Sequence, residues 1–419
     1  MYRDIYTARS VVKDPNFYQP FEFIGENNVF ATTNEIDHAA RKKILSPPFS
    51  HRNVMARFEL ILERTDVMID RIIRRAYNST SRTADVYEPL GIWSVEVICK
   101  FMFNCGMSPD EHEFSTMLKA MEGSPPTFFI DRAFPWLRRL KLEASLPGPI
   151  GHAYRSSAQW HKETARLLAE FQKRDLSTEE KLGFVGGHVF LTPHKTLGRT
   201  LTFNEAVGEA MGLALAGSSV TQHTLTYLLY ELAKPEGQAI QEKLRREVQE
   251  VGDEGPAIMD LRYLAAVIKE THRVHPAIMS TLPRILTHPL AVQDTDITLP
   301  PGTIVGMQNF VHHRDPVLFP EPDSFIPERW LEGHALNQGV TLKDMDEALT
   351  PYSLGPRVCL GQTLAKIQLP LSVTRLLKRV KFTLSNEMTE DDMFGQDSWA
   401  VKIKGGKLLL QIQVLEKQK

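Results

Sequence analysis

Thr202-Phe-Asn-Glu205 has the form of a helix-start box, in which a hydroxyl and a carboxylate satisfy each other's free backbone N–H groups. From that cap the helical pattern runs without proline to Lys234, and Pro235 stops it. The 33 residues from Thr202 to Lys234 span roughly 50 Å at the usual rise per residue. A helix that long crosses a whole globular chain, so the other elements must be arranged around it. Its middle reads Leu213-Ala-Leu-Ala216-Gly217-Ser218-Ser219-Val220-Thr221. Small residues on one face leave room for a flat ligand, or let a second helix pack closely. With 419 residues, 42% hydrophobic and 24% charged, the chain has the composition and length for a large core. No linker, repeat or low-complexity run marks a second domain, so residues 1–419 read as one unit.

A second stretch carries the chemistry. Pro351–Ala365 reads P-Y-S-L-G-P-R-V-C-L-G-Q-T-L-A. Cys359 sits between Gly355 and Gly361, Arg357 lies two residues before it, and an apolar helical pattern, Leu360–Leu377, follows. This is a tight loop feeding a helix N-terminus, with a thiol at the junction. Glycines let the backbone approach something flat and bulky. Backbone N–H groups at a helix start favour thiolate over thiol. A lone thiolate beside an arginine suits a haem iron, whose propionates need a cation. An intracellular cysteine is most often an inert buried thiol, but these surroundings argue for a ligand.

The loop resembles the haem-binding loop of the cytochrome P450 family, F-x-x-G-x-R-x-C-x-G. Tyr352 stands where the family usually has phenylalanine, while Gly355, Arg357, Cys359 and Gly361 match. Other family motifs follow in the expected order. The basic helix around His38-Ala-Ala-Arg41-Lys42 corresponds to W-x-x-x-R, with His38 and Lys42 in place of the two propionate-facing residues. The long helix corresponds to A/G-G-x-D/E-T-T: Ala216 and Gly217 match, Ser219 replaces the acid and Val220 the first threonine. Glu270-Thr-His-Arg273 matches E-x-x-R, Arg284 the arginine that reaches a propionate, and Phe325-Ile-Pro-Glu-Arg329-Trp330 the F-x-P-E-R-W segment. The resemblance implies a buried structural triad of Glu270, Arg273 and Arg329.

The remaining signals are local. Residues 1–35 give weak signals, with Phe17–Phe30 aromatic and loop-like. Arg52–Tyr77, Tyr87–Phe103, Ile150–Lys173 and Asp260–Val274 read as helices, and Gly183–Thr200 as a connector. Strand-like runs cover Thr281–Leu286, Leu290–Gln293, Ile297–Leu299 and Thr303–Phe310. Phe128, Phe129, Phe134 and Trp136, interleaved with Arg132, Arg138, Arg139 and Lys141, suit inward packing, a substrate channel or a membrane surface. The net charge of −2 points away from nucleic acid. Three cysteines, Cys99, Cys105 and Cys359, make no disulfide framework or zinc spacing. No apolar run reaches transmembrane length.

The resemblance implies a mainly α fold with a small β-rich region and a long central helix over a haem. It implies a single domain that starts after the family's anchor helix and first sheet strands. The activity implied is that of a haem-thiolate monooxygenase holding haem b through Cys359. O2 and a lipophilic small molecule would be its substrates, NADPH-cytochrome P450 reductase its electron donor, and secondary metabolism its setting. His38, Lys42, Arg284 and Arg357 would hold the propionates. Leu213, Ala216, Gly217, Ala277 and Thr281 would line the substrate site, and Ser219 and Thr221 are the catalytic candidates for proton delivery. A monomer is expected, at the cytosolic face of the endoplasmic reticulum by the resemblance, or cytoplasmic or weakly membrane-associated because no apolar run reaches transmembrane length. Two rival readings are a haem-thiolate isomerase or dehydratase that does not use O2, suggested by Ser219-Val220, and an inactive truncated relic.

Overall fold

The computed structural model describes residues 2–8, 11–105, 111–134, 136, 145–251, 256–398 and 400–415. Its axis is the helix Phe203–Ala233, capped by Thr202, with both reciprocal bonds of the predicted box to Glu205 present. Helices Tyr87–Phe103, Gly148–Lys173 and Arg262–Val274 pack against it. Tyr87–Phe103 is apolar nearly all round and almost wholly buried, as a helix enclosed on every side must be. Gly217 lets it come close: a Cβ there would lie 2.8 Å from Ile98 Cγ1.

The β structure is small. Arg284–Leu286 is the centre of a three-stranded antiparallel sheet, with Val11–Lys13 on one side and Ile304–Val305 on the other. In that register Lys13 pairs with Arg284. Leu409–Val414 is the centre of a second sheet, between Thr83–Asp85 and Val380–Leu384. Among the described residues two short two-stranded pieces complete it. The expected mainly α fold with a small β-rich region is what the chain adopts.

Several local expectations give way. Residues 1–35, whose sequence signals are weak, include the helix Tyr2–Tyr6, the strand Val11–Lys13 and the short helix Pro15–Tyr18. Arg52–Tyr77 divides into His51–Met55 and Phe58–Tyr77. The connector Gly183–Thr200 contains the helix Val185–Leu191. The run Thr303–Phe310 yields only the strand Ile304–Val305 before the helix Asn309–His312 begins. Within the aromatic stretch, Phe128 is buried, while Phe129, Phe134 and Trp136 are exposed. Arg138, Arg139 and Lys141 lie outside the described residues.

Candidate active site

The helix Gln362–Arg379 starts at Gly361, and the loop before it is held from both sides. Ser353 and Gly355 take left-handed backbone angles of +59° and +72°. A Cβ on Gly355 would sit 2.3 Å from the Tyr6 carbonyl oxygen, so the N-terminal helix can pack on the loop only over a glycine. The Cys359 N–H donates to the Tyr352 carbonyl at 2.9 Å. Cys359 lies deep within the chain, yet its side chain keeps accessible surface, because that surface faces an internal cavity. Burial pushes the Cys359 thiol above its ordinary pKa. The N–H groups of Gly361 and Gln362, which bond the sulfur, and the charge of Lys42 pull the other way. Burial thus favours the thiol, and a cation on the cavity side would favour the thiolate.

The cavity encloses about 1620 Å³, counting its opening to solvent. Leu213, Ala216, Gly217, Val220 and Thr221 of the long helix form one wall, and the cysteine loop forms another. Pro276, Ala277, Ile278 and Leu282 add an apolar side.

One rim of the cavity is cationic. Lys13, Lys42 and Arg357 line it, with His38 beside them. Lys13 is buried, donates to the Phe30 carbonyl at 2.5 Å and sits 4.0 Å over the Tyr18 ring. Desolvation, then Arg357 and Arg284, pull its pKa well below the usual lysine value. Lys42 donates to the Pro356 carbonyl at 2.8 Å. Arg357 pairs with Glu35 at 2.7 Å and donates to the Thr32 carbonyl at 2.8 Å. Burial, then Arg357, Lys13, Lys42 and Arg284, push His38 down to about 3, so it is neutral at physiological pH. Of the charged groups acting on Lys13, Glu35 alone is negative. A buried lysine beside these partly buried cations suits a bound anion. One sulfur ligand, an apolar wall and a cationic rim suit an iron porphyrin with two carboxylates. Among the described residues there is no cluster of three or more His, Cys, Asp or Glu side chains able to hold a metal alone.

Behind the loop, Glu270, Arg273 and Arg329 are wholly buried. Arg273 Nε and Nη2 donate to the two Glu270 oxygens at 2.9 and 2.8 Å, and Arg329 Nε donates at 3.0 Å. Trp330 Nε1 and the Ile326 N–H complete the carboxylate's shell, each at 2.9 Å.

The sequence profile of the cytochrome P450 family matches residues 7–410. The chain belongs to the cytochrome P450 family. It is 26% identical to the cytochrome P450 monooxygenase BOT1 of Botryotinia fuckeliana over 93% of this chain and 76% of that one. It is 26% identical to the cytochrome P450 monooxygenase penB of Penicillium thymicola over 97% of this chain and 91% of that one. Its fold is similar to that of a cyanobacterial CYP120A1 with bound retinoic acid, at a TM-score of 0.77 and 19% identity over 99% of this chain and 87% of that one. The protein is thus an oxidoreductase of the P450 monooxygenase class, and membership implies haem on a cysteine thiolate. The P450 profile also starts well before His38, where the recognisable motifs begin.

Of the residues carried over from P450 motifs, Cys359, Tyr352, Arg357, Gly361, His38, Lys42, Leu213, Ala216, Gly217, Ala277 and Thr221 meet at this cavity. Gly355 shapes the loop from behind. Three are placed differently. Ser219 is off the lining, and its hydroxyl donates back to the Leu215 carbonyl at 2.8 Å. Thr281 is also off it: it forms an isolated bridge with Gln308, and Leu282 takes the wall position. Arg284 is buried one layer behind, donating to the Tyr18 hydroxyl at 2.8 Å with its guanidinium 5.1 Å over the Tyr6 ring. Lys13 was missed altogether. Its only local signal is one cation ending the apolar pair Val11-Val12, and its place on the cavity follows only from the pairing of that strand with Arg284, far along the chain.

Proposed function

We propose that this P450 is a haem-thiolate monooxygenase that transfers one oxygen atom from O2 to a lipophilic small molecule in secondary metabolism. The observation that supports it best is Cys359, directed into a large apolar cavity beneath the long helix with a cationic rim beside it. Haem b bound there would supply oxygen activation, with the thiolate's electron donation favouring O–O cleavage. Cys359 would hold the iron, and Lys13, Lys42, Arg357 and the neutral His38 would hold the propionates, with Arg284 one layer back. Val220, Leu213, Ala216 and Ile278 exclude water from the substrate side and favour an apolar substrate. Thr221 keeps a hydroxyl on that wall. Electrons would come from NADPH-cytochrome P450 reductase. The enzyme would act as a monomer at the cytosolic face of the endoplasmic reticulum, where exposed Phe129, Phe134 and Trp136 would rest on lipid.

The reduced holoprotein treated with carbon monoxide should show the red-shifted Soret band of thiolate ligation, and Cys359→Ala should abolish it along with nearly all activity. Cys99→Ser and Cys105→Ser should leave the band in place, since both thiols are buried away from the cavity. A histidine-type spectrum in the wild-type protein would refute the assignment. Turnover that persists without O2 and reductase would make the enzyme an isomerase or dehydratase instead.

A further inference from the structure

Where the P450 loop usually carries phenylalanine, Tyr352 carries a hydroxyl, and the fold gives that hydroxyl a partner. Tyr352 Oη and His272 Nε2 are hydrogen-bonded at 3.3 Å, and the two rings meet edge to face at 5.5 Å. Both residues line the cavity. His272 is the third residue of Glu270-Thr-His-Arg273, so it stands on a turn between two wholly buried ionic partners. On the other side, the Tyr352 carbonyl takes the Cys359 N–H. A continuous series of contacts therefore runs from the buried Glu270 network through His272 and Tyr352 to the cysteine. The loop needs such an anchor, because Ser353 takes a positive φ next to Tyr352, a conformation that non-glycine residues keep only when their surroundings hold them.

We propose that the Tyr352–His272 hydrogen bond is a positioning device for the thiolate: it fixes the carbonyl that holds the Cys359 N–H, and so the aim of the Gly361 and Gln362 N–H groups at the sulfur. Phenylalanine at this place supplies packing alone, whereas the phenol adds a direction. Partners of this kind around a metal ligand set its orientation and donor strength. N–H groups aimed at a ligand sulfur draw charge from it and favour the ferrous state. Loosening the loop weakens that donation, so the sulfur becomes richer in electrons and the ferric state gains. The inference rests on the haem-thiolate reading above.

The test is a spectroelectrochemical titration of the holoprotein and of Tyr352→Phe, His272→Leu, the double variant and His272→Gln, with melting temperature followed in parallel. Tyr352→Phe and His272→Leu should each shift the ferric–ferrous equilibrium at least threefold toward ferric, about 28 mV at 59 mV per tenfold for one electron. The carbon monoxide complex of each should also lose its thiolate band faster. The double variant should shift no further than either single one, because both remove the same bond. His272→Gln, whose amide can still meet the phenol, should recover most of the wild-type potential. An unchanged potential in Tyr352→Phe, a double shift equal to the sum of the single ones, or a lower melting temperature at constant potential would overturn the proposal. A wild-type protein that lacks the thiolate band would instead overturn the haem-thiolate reading beneath it.

Discussion

Lys13 shows how much a single residue can depend on the whole fold. A lysine that is buried at 4% exposure, beside Arg357 and Arg284, is costly to keep charged. Its aromatic neighbours and the Phe30 carbonyl offset part of that cost. A bound carboxylate would offset the rest. Lys13→Met should therefore lower haem retention several-fold, with faster transfer of haem to an apomyoglobin acceptor, while the apoprotein melts no lower than wild type, since an uncompensated charge has gone. Lys13→Arg should retain haem nearly as wild type does. Unaltered haem transfer in Lys13→Met would remove Lys13 from the site. At this scale the readable residues were those in short contiguous patterns: Cys359 with its glycines, or Glu270 with Arg273. Lys13 was not readable, because it reaches the cavity only through a strand partner hundreds of residues away, and the bond from the Trp330 indole to Glu270 was not readable from the motif that contains Trp330.

The long helix was readable as an element, from its cap to its terminating proline, but the facing of its individual side chains was not. Alignment to the motif singles out Ser219. In the structure the hydroxyls of Ser218, Ser219, Thr221 and Thr224 all donate to carbonyls one turn back, and the helix runs without a bulge through Gly217–Thr221. What separates them is facing: Val220 and Thr221 look into the cavity and Ser219 does not. Thr221 Oγ1, which donates to the Gly217 carbonyl at 3.0 Å, keeps lone pairs with which to order a water on the cavity side. Thr221→Val should thus raise the share of reductant lost as peroxide several-fold, and Ser219→Ala should leave it unchanged. Val220→Thr should lower that share by adding a second hydroxyl to the wall. Peroxide yield per NADPH consumed is the measurement. Equal effects of Ser219→Ala and Thr221→Val would show that facing is not what decides.

For the molecule as a whole, the Glu270 network ties the fold to the site. Glu270 accepts from two guanidinium groups, an indole and a backbone N–H, all inside the core. The guanidiniums in turn reach carbonyls at His313, Pro320, Pro322 and Ser324, so one carboxylate organises the extended segment that wraps the helix Arg262–Val274. That helix leads directly into Pro276, Ala277 and Ile278 on the cavity wall, and it carries His272. Glu270→Ala strands two buried positive charges, which costs about 3–5 kcal/mol against a usual stability of about 5–15 kcal/mol. Glu270→Gln keeps the shape and some hydrogen bonds but still loses the charge, so it should be destabilised by less. The expected order in urea melting of the apoprotein is wild type, then Glu270→Gln, then Glu270→Ala, with haem loading falling in the same order because the wall and the His272 anchor loosen together. Wild-type melting of Glu270→Ala would mean that the two guanidiniums find other partners. Normal haem loading in a clearly destabilised Glu270→Ala would mean that the cavity wall is held in place independently of the network.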